Sequence, residues 1–133
     1  MRDHFAAIKV MLEPLGRQIY TIEATGSPTY PYLLLWGLPG QLTADAVDGV
    51  QKTYSDLLRV TSVGATPEAA MEVRRLSRGL LLDQRPFVEG RFVHELRMVD
   101  AMDVMPDRDV TMPQTNRHPA YGVDVYRLIS DPA

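Results

Sequence analysis

The sequence contains no cysteine. That removes disulfides, thiolate zinc sites and a cysteine nucleophile together, and leaves the redox compartment unreadable. Lysine is nearly missing as well: only Lys9 and Lys52 stand among 14 cations. The positive charge is therefore carried by arginine, whose planar fork suits ion pairs across interfaces. There is no excess of positive charge, the formal net being -3 at pH 7. That balance argues against a dedicated nucleic-acid binder, because phosphate binding depends on clustered cations. No run approaches the roughly 18 apolar residues of a membrane span. The start, MRDHFAAIKVMLEPLG, mixes charge with helical spacing where a signal peptide would have a basic start and a continuous apolar stretch. We expect a chain made in the cytoplasm and kept there unless it leaves inside a larger particle.

What is there suffices for one globular domain, residues 1–133, since 45% of the chain is hydrophobic. Asp3 is placed to cap a helix whose stripe is Phe5, Ile8, Met11 and Leu12, and Pro14 with Gly16 ends it. RQIYTIEA (17–24) and YPYLLLWG (30–37) are rich in strand formers and separated by the turn residues TGSPT, which predicts two neighbouring strands. Residues 39–56, broken by Pro39, Gly40 and Gly49, are expected to form a contact loop. DLLRVTSVG (56–64) resumes strand character. A helix then follows, with Thr66 as N-cap, Pro67 at its first position, Glu68 in its first turn, and Ala69, Val73, Leu76 and Leu80 as the apolar stripe, while Glu72, Arg75 and Ser77 face solvent. RFVHELRMVD (91–100) alternates, placing Phe92, His94, Leu96 and Met98 on one face. A last strand is expected at VDVYRLIS.

This order predicts an α+β (mixed α/β) fold, a single sheet of about five strands packed by two helices. Residues 100–122 read as an extended arm, longer than compact domains normally leave unstructured. Its methionines, Tyr121 and charged residues suit adaptable contact with a partner.

The chemical readings of this segment are thin. A hydrolase would take His118 as base, Asp124 or Asp109 as its orienter and Ser130 or Thr115 as nucleophile, but no G-x-S-x-G elbow is present. His4, His94 and His118 show no short ligand spacing, so no metal and no cofactor are expected. His94 reads as a half-buried strand residue packed beside Phe92 and Leu96. Asp107 and Asp109 lack the glycine and distal glutamate of a calcium loop. TSVGATPEAA has one glycine and no P-loop lysine, so it is no phosphate cradle. Arg74, Arg75 and Arg78 on one helix could make a basic stripe, although pairing with Glu68 and Glu72 is the simpler expectation.

Several stretches bring a family into view: MRDHFAAIKVMLEPLG, ATGSPTYPYLLLWG, VTSVGATPEAAMEVRRLSRGLLLD and, above all, VTMPQTNRHPAYGVDVYRLIS. Together they resemble the tail-terminator proteins of long, flexible-tailed bacteriophages, particularly those infecting actinobacteria. The resemblance implies a small α/β subunit forming a hexameric ring on the head-proximal end of the tail tube. Such a ring stops tube growth and joins the tail to the head connector, in the neck of the virion, without catalysis or cofactor. Its partners would be further copies of itself, the tail tube protein and the connector or stopper protein, with DNA only passing through the lumen. On this reading the ring or tail contacts fall on Met105, Asp107, Arg108, Asp109, Met112, Asn116, Arg117, His118 and Tyr121. The alternatives are a head-side completion protein of the connector, and a small hydrolase using His118.

Overall fold

The computed structural model describes residues 2–22, 24, 28–38, 53–113 and 115–132. Helix α1 (Arg2–Leu12) runs into a 3-10 turn over Glu13–Leu15, closed by Gly16 in the left-handed region at φ 68°. The helix already includes Arg2, so Asp3 lies within its first turn and favours the helix dipole instead of capping it. Ile8 and Leu12 are buried, and Phe5 and Met11 pack partly against the same core.

Strands β1 (Gln18–Thr21) and β2 (Tyr32–Gly37) are neighbours as expected, and they pair in parallel. β3 (Tyr54–Gly64) pairs antiparallel with β2. Residues 39–52 of the expected contact loop lie outside the described residues, and its end, 54–56, belongs to β3. Helix α2 (Pro67–Leu81) begins as the sequence requires, with Thr66 Oγ1 accepting from the Ala69 N–H at 3.2 Å and proline in the first turn. Its buried stripe is Ala70, Val73, Ser77 and Leu81, displaced from the expected Ala69, Leu76 and Leu80. Ser77 can be inside because its hydroxyl donates to the Arg74 carbonyl at 2.9 Å and so needs no water.

The alternating segment 91–100 is not one strand. It divides into β4 (Arg91–Val93) and β5 (Arg97–Pro106), both antiparallel to β6 (Ala120–Pro132). Between Val93, opposite Ser130, and Arg97, opposite Arg127, three residues face two, so the inward set changes phase from Val93 to Leu96. The backbone of Leu96 is held there by Asp83 and Gln84, whose N–H and carbonyl pair with it at 2.9 Å each. The arm expected over 100–122 is consequently shorter than the sequence suggests. Its first part is β5, its end is β6, and 107–119 is the connection between them.

The resulting sheet has six strands in the order β1-β2-β3-β6-β4, with β5 also alongside β6. β6 is central, pairing with β3 on one side and with β4 and β5 end to end on the other. Both helices cover one face, where Leu33, Leu35, Leu58, Val60, Tyr126 and Leu128 meet Ile8, Leu12, Val73 and Leu81. Each such side chain contributes about 1.5–3 kcal/mol by leaving water, which makes this face the main source of stability. The fold is α+β, a single sheet packed by two helices.

Candidate interaction surface

The connection between β5 and β6 holds itself in shape. The Asp107 N–H donates to the Pro119 carbonyl at 2.7 Å, Met112 N–H to Arg117 at 2.8 Å, and Asn116 N–H to Met112 at 2.9 Å. Asp107 Oδ1 accepts from the Asp109 N–H at 3.2 Å, an Asx turn, and Asn116 takes the left-handed φ of 58° that its side chain tolerates. The His118 Nδ1 lies 2.6 Å from the Val110 carbonyl, an acceptor, so that nitrogen carries the proton. Arg108, Asp109, Asn116, Arg117 and His118 are exposed on the loop, and Met105 is exposed at the end of β5. Met112 is buried, so within the single chain it packs the loop from inside.

The sheet face away from the helices joins this loop. Because strand residues alternate, register fixes which side chains stand there. Tyr32, Val63, Tyr121 and Met105 form one cross-strand row beside the loop. Leu34, Thr61, Val123 and Met102 form the next. Burial among the neighbouring tyrosines pushes the Tyr32 phenol up, with Tyr30 and the Asp107 carboxylate adding to it. Further along come Trp36 and Arg59, with the guanidinium 5.1 Å from the indole centroid, then Arg127 opposite Leu57 and Arg97. The indole also donates to Thr61 Oγ1 at 2.9 Å, which fixes the platform for Arg59. Tyr32, Leu34, Val123 and Tyr121 are half-buried, and neither helix covers them. Sequence inspection read these residues as strands without asking which face they leave uncovered. The alternation was the available signal, but register was needed to align it across four strands.

The groups proposed for chemistry do not converge. Asp124 is buried under α2, where its carboxylate takes the Arg78 fork at 2.9 and 2.7 Å and stands 3.3 Å from Arg74 Nε. This pairing raises the Arg78 pKa. The third arginine, Arg75, is bound at 2.6 Å to Glu72. The basic stripe of α2 is thus tied up in carboxylates. Ser130, fully buried, is engaged by Arg91, which donates Nε to its hydroxyl at 2.8 Å and Nη2 to its carbonyl at 2.6 Å. His94 is exposed, against expectation, because the bulge turns it outward. There its Nε2 meets Asp131 at 2.6 Å while its ring stands edge-on to Phe92 at 5.1 Å. Thr53, first, and His94, second, hold the Asp131 carboxyl below its usual range.

The histidine beside Ser130 is His4, at 2.9 Å and on the buried side of α1. Arg91 can only donate, so the serine hydroxyl proton is free to point at His4 Nε2. Burial first, and Arg91 next, push the imidazole pKa down against the weaker opposite pull of Asp3 and Asp56. A histidine with a folded pKa below its usual 6.5 contributes stability that is complete above that value and is lost as pH falls through the folded pKa. The melting temperature should therefore fall between about pH 7 and about pH 5, and His4→Gln should flatten that part of the profile. An unchanged slope in the variant would assign the pH dependence to other groups.

Over the described residues, the architecture defines the chain as a small α+β protein whose two helices pack on one face of the sheet. In a comparison with solved structures, a chain of the "Virion of native gene transfer agent (GTA) particle" superposes with a TM-score of 0.61 over 95% of this chain and 90% of that one, at 11% identity. The likeness is one of fold. No protein-family model and no curated protein matches the sequence.

Proposed function

We propose that the chain is a structural protein of a tailed-phage or phage-like virion and, within it, the tail terminator. Copies form a ring, hexameric by the resemblance of its sequence, on the head-proximal end of the tail tube. The ring ends tube polymerisation and presents its other side to the connector or stopper protein. The observation that carries the virion assignment is the fold shared along nearly the whole length with a chain of a gene transfer agent particle. The finer assignment rests on the terminal segment VTMPQTNRHPAYGVDVYRLIS, which folds into the self-tied loop and β6.

The physical features suit such a role. A rigid loop with an exposed charged tip loses little conformational freedom on docking, so more of its contact energy appears as affinity. Met105, Asp107, Arg108, Asp109, Asn116, Arg117, His118 and Tyr121 supply its contacts to neighbours or to the tube, with Met112 holding its shape. A mildly acidic chain does not grip DNA passing through a lumen. The role requires neither cofactor nor turnover, and it places the protein in the neck of the particle.

Disrupting the gene in its parent particle and imaging the lysate by negative stain tests this directly. Overlong or ragged tails lying apart from filled heads are the expected result. Tails of normal length would overturn termination. If unattached, they would move the protein to the head side of the joint as a completion protein.

A further inference from the structure

The ladder between β5 and β6 is broken just before the loop. Met102 stands opposite Val123 and Met105 opposite Tyr121, so Asp103 and Val104 face Gly122 alone, a β-bulge. Every residue given above as a contact lies beyond this bulge. There the ladder continues through Met105 with Tyr121 and Pro106 with Ala120, and Pro106 has no N–H to contribute. β6 is held on its other side by β3, through Ser62 to Gly64, whereas β5 has no second strand neighbour among the described residues. Backbone pairing therefore fixes the β6 side of the arm and leaves the β5 side weakly tied.

One side chain reaches this point from the helix layer. Arg74 of α2, 12% exposed, donates through Nη2 to the Met102 and Val123 carbonyls, the opposed pair that borders the bulge. It gets there over Gly122: a Cβ on that residue would lie 2.9 Å from Arg74 Nη2 and 3.0 Å from a Val104 methyl. Gly122 is not among the glycines with positive φ, so space and not backbone conformation is what a side chain there would take away. Arg74 Nε stands 3.3 Å from Asp124, while the Arg78 fork already engages both oxygens of that carboxylate. The far nitrogen of Arg74 is thus left for the seam between the two strands.

We propose that Arg74 is the positioning residue of the contact arm. Reaching from α2 across Gly122, its guanidinium latches β5 to β6 at the bulge and so sets the pose in which the loop over 107–119 is presented. The inference rests on reading that loop as a contact surface and adds how it is held. The loop tip keeps its own shape, through Met112 to Arg117, Asn116 to Met112 and His118 to Val110. What remains free is where β5 carries it. A pose fixed in advance lowers the entropy lost on docking. The task calls for arginine: its nitrogens share one rigid plane, so Nε can face a carboxylate while Nη2 meets two carbonyls, whereas lysine has a single nitrogen for both.

Amide exchange followed by NMR tests the latch on the full chain and needs no partner. The reporter is the Asp107 N–H, whose bond to the Pro119 carbonyl closes the base of the loop across the two strands. In Arg74→Lys and in Gly122→Ala its exchange should be at least about tenfold faster than in wild type. The Met112 and Asn116 amides, bonded inside the loop, should keep wild-type rates, and so should those of β3. Arg78→Lys is the control, because it disturbs the same carboxylate and touches neither carbonyl; the Asp107 rate should not change there. An unchanged Asp107 rate in either Arg74→Lys or Gly122→Ala overturns the inference. So does an equal rise in Arg78→Lys, which would make the effect a general loosening of α2. A rise that spreads to Met112, Asn116 or β3 overturns it too, since the loop or the fold would then be melting and not changing pose. Tail length after gene disruption is read separately: normal tails would remove termination and leave the latch to stand or fall on Asp107.

Discussion

Replacing Asp124 by alanine should remove about 3 kcal/mol or more of stability and lower the melting temperature by about 10 °C. The carboxylate is buried in β6, and two guanidinium groups of α2 converge on it. Arg78 binds it through both oxygens, and Arg74 stands 3.3 Å away with a side chain only 12% exposed. Removing the anion leaves Arg74 charged in a place that water barely reaches. Its Nη2 does donate to the Val123 and Met102 carbonyls, but a carbonyl dipole does not neutralise a cation. The loss should exceed that from Glu72→Ala, which breaks an ion pair whose side chains are 57% and 69% exposed and which is therefore screened by solvent. Thermal melts of the two variants beside the wild type decide the matter. Similar small losses in both would show that Arg74 relaxes into solvent when Asp124 is gone.

This network also shows where sequence reasoning stops. Thr66, Pro67 and Glu68 announce the start of α2 because capping is local chemistry, and the structure agrees with all three. Which face of the helix turns inward depends on what lies beneath it. Asp124 is 46 residues from Arg78, and no local pattern connects them. A stripe chosen by hydrophobicity prefers Leu76 to Ser77, yet Leu76 is 39% exposed and Ser77 is fully buried. The arginines directed at Asp124 and the internal hydrogen bond of Ser77 set the phase.

β5 escaped for a related reason. DAMDVMPDRD carries four acids and a proline where a core strand would show continuous apolar residues, and two register shifts against β6 break the period of its strand part. These are features of an edge strand, which tolerates charge and irregularity because one side is open. The loop at its end was legible as a candidate surface from its length and residue types. The face it adjoins became visible only when β2, β3, β5 and β6 were placed in register.

Gly64→Ala should cost about 3 kcal/mol, the upper end of what one added methyl does in a packed site. Gly64 is the last residue of β3, and α2 starts three residues later, folding back so closely that a Cβ at this position would lie 2.4 Å from the Ala70 nitrogen and 2.8 Å from the Ala69 carbonyl carbon. Both are backbone atoms in the first turn of a capped helix, so relief requires lifting the helix from the strand. That movement would loosen Ala70 and Val73 and strain the Thr66 cap together. Gly122, on the adjacent strand, provides the control. A Cβ there would stand 2.9 Å from Arg74 Nη2 and 3.0 Å from a Val104 methyl, which are side-chain atoms able to shift. Gly122→Ala should therefore cost less than Gly64→Ala. Equal melting temperatures for the two variants would mean that the start of α2 yields as readily as a side chain. The close approach at Gly64 would then be a consequence of helix packing and would no longer count among its constraints.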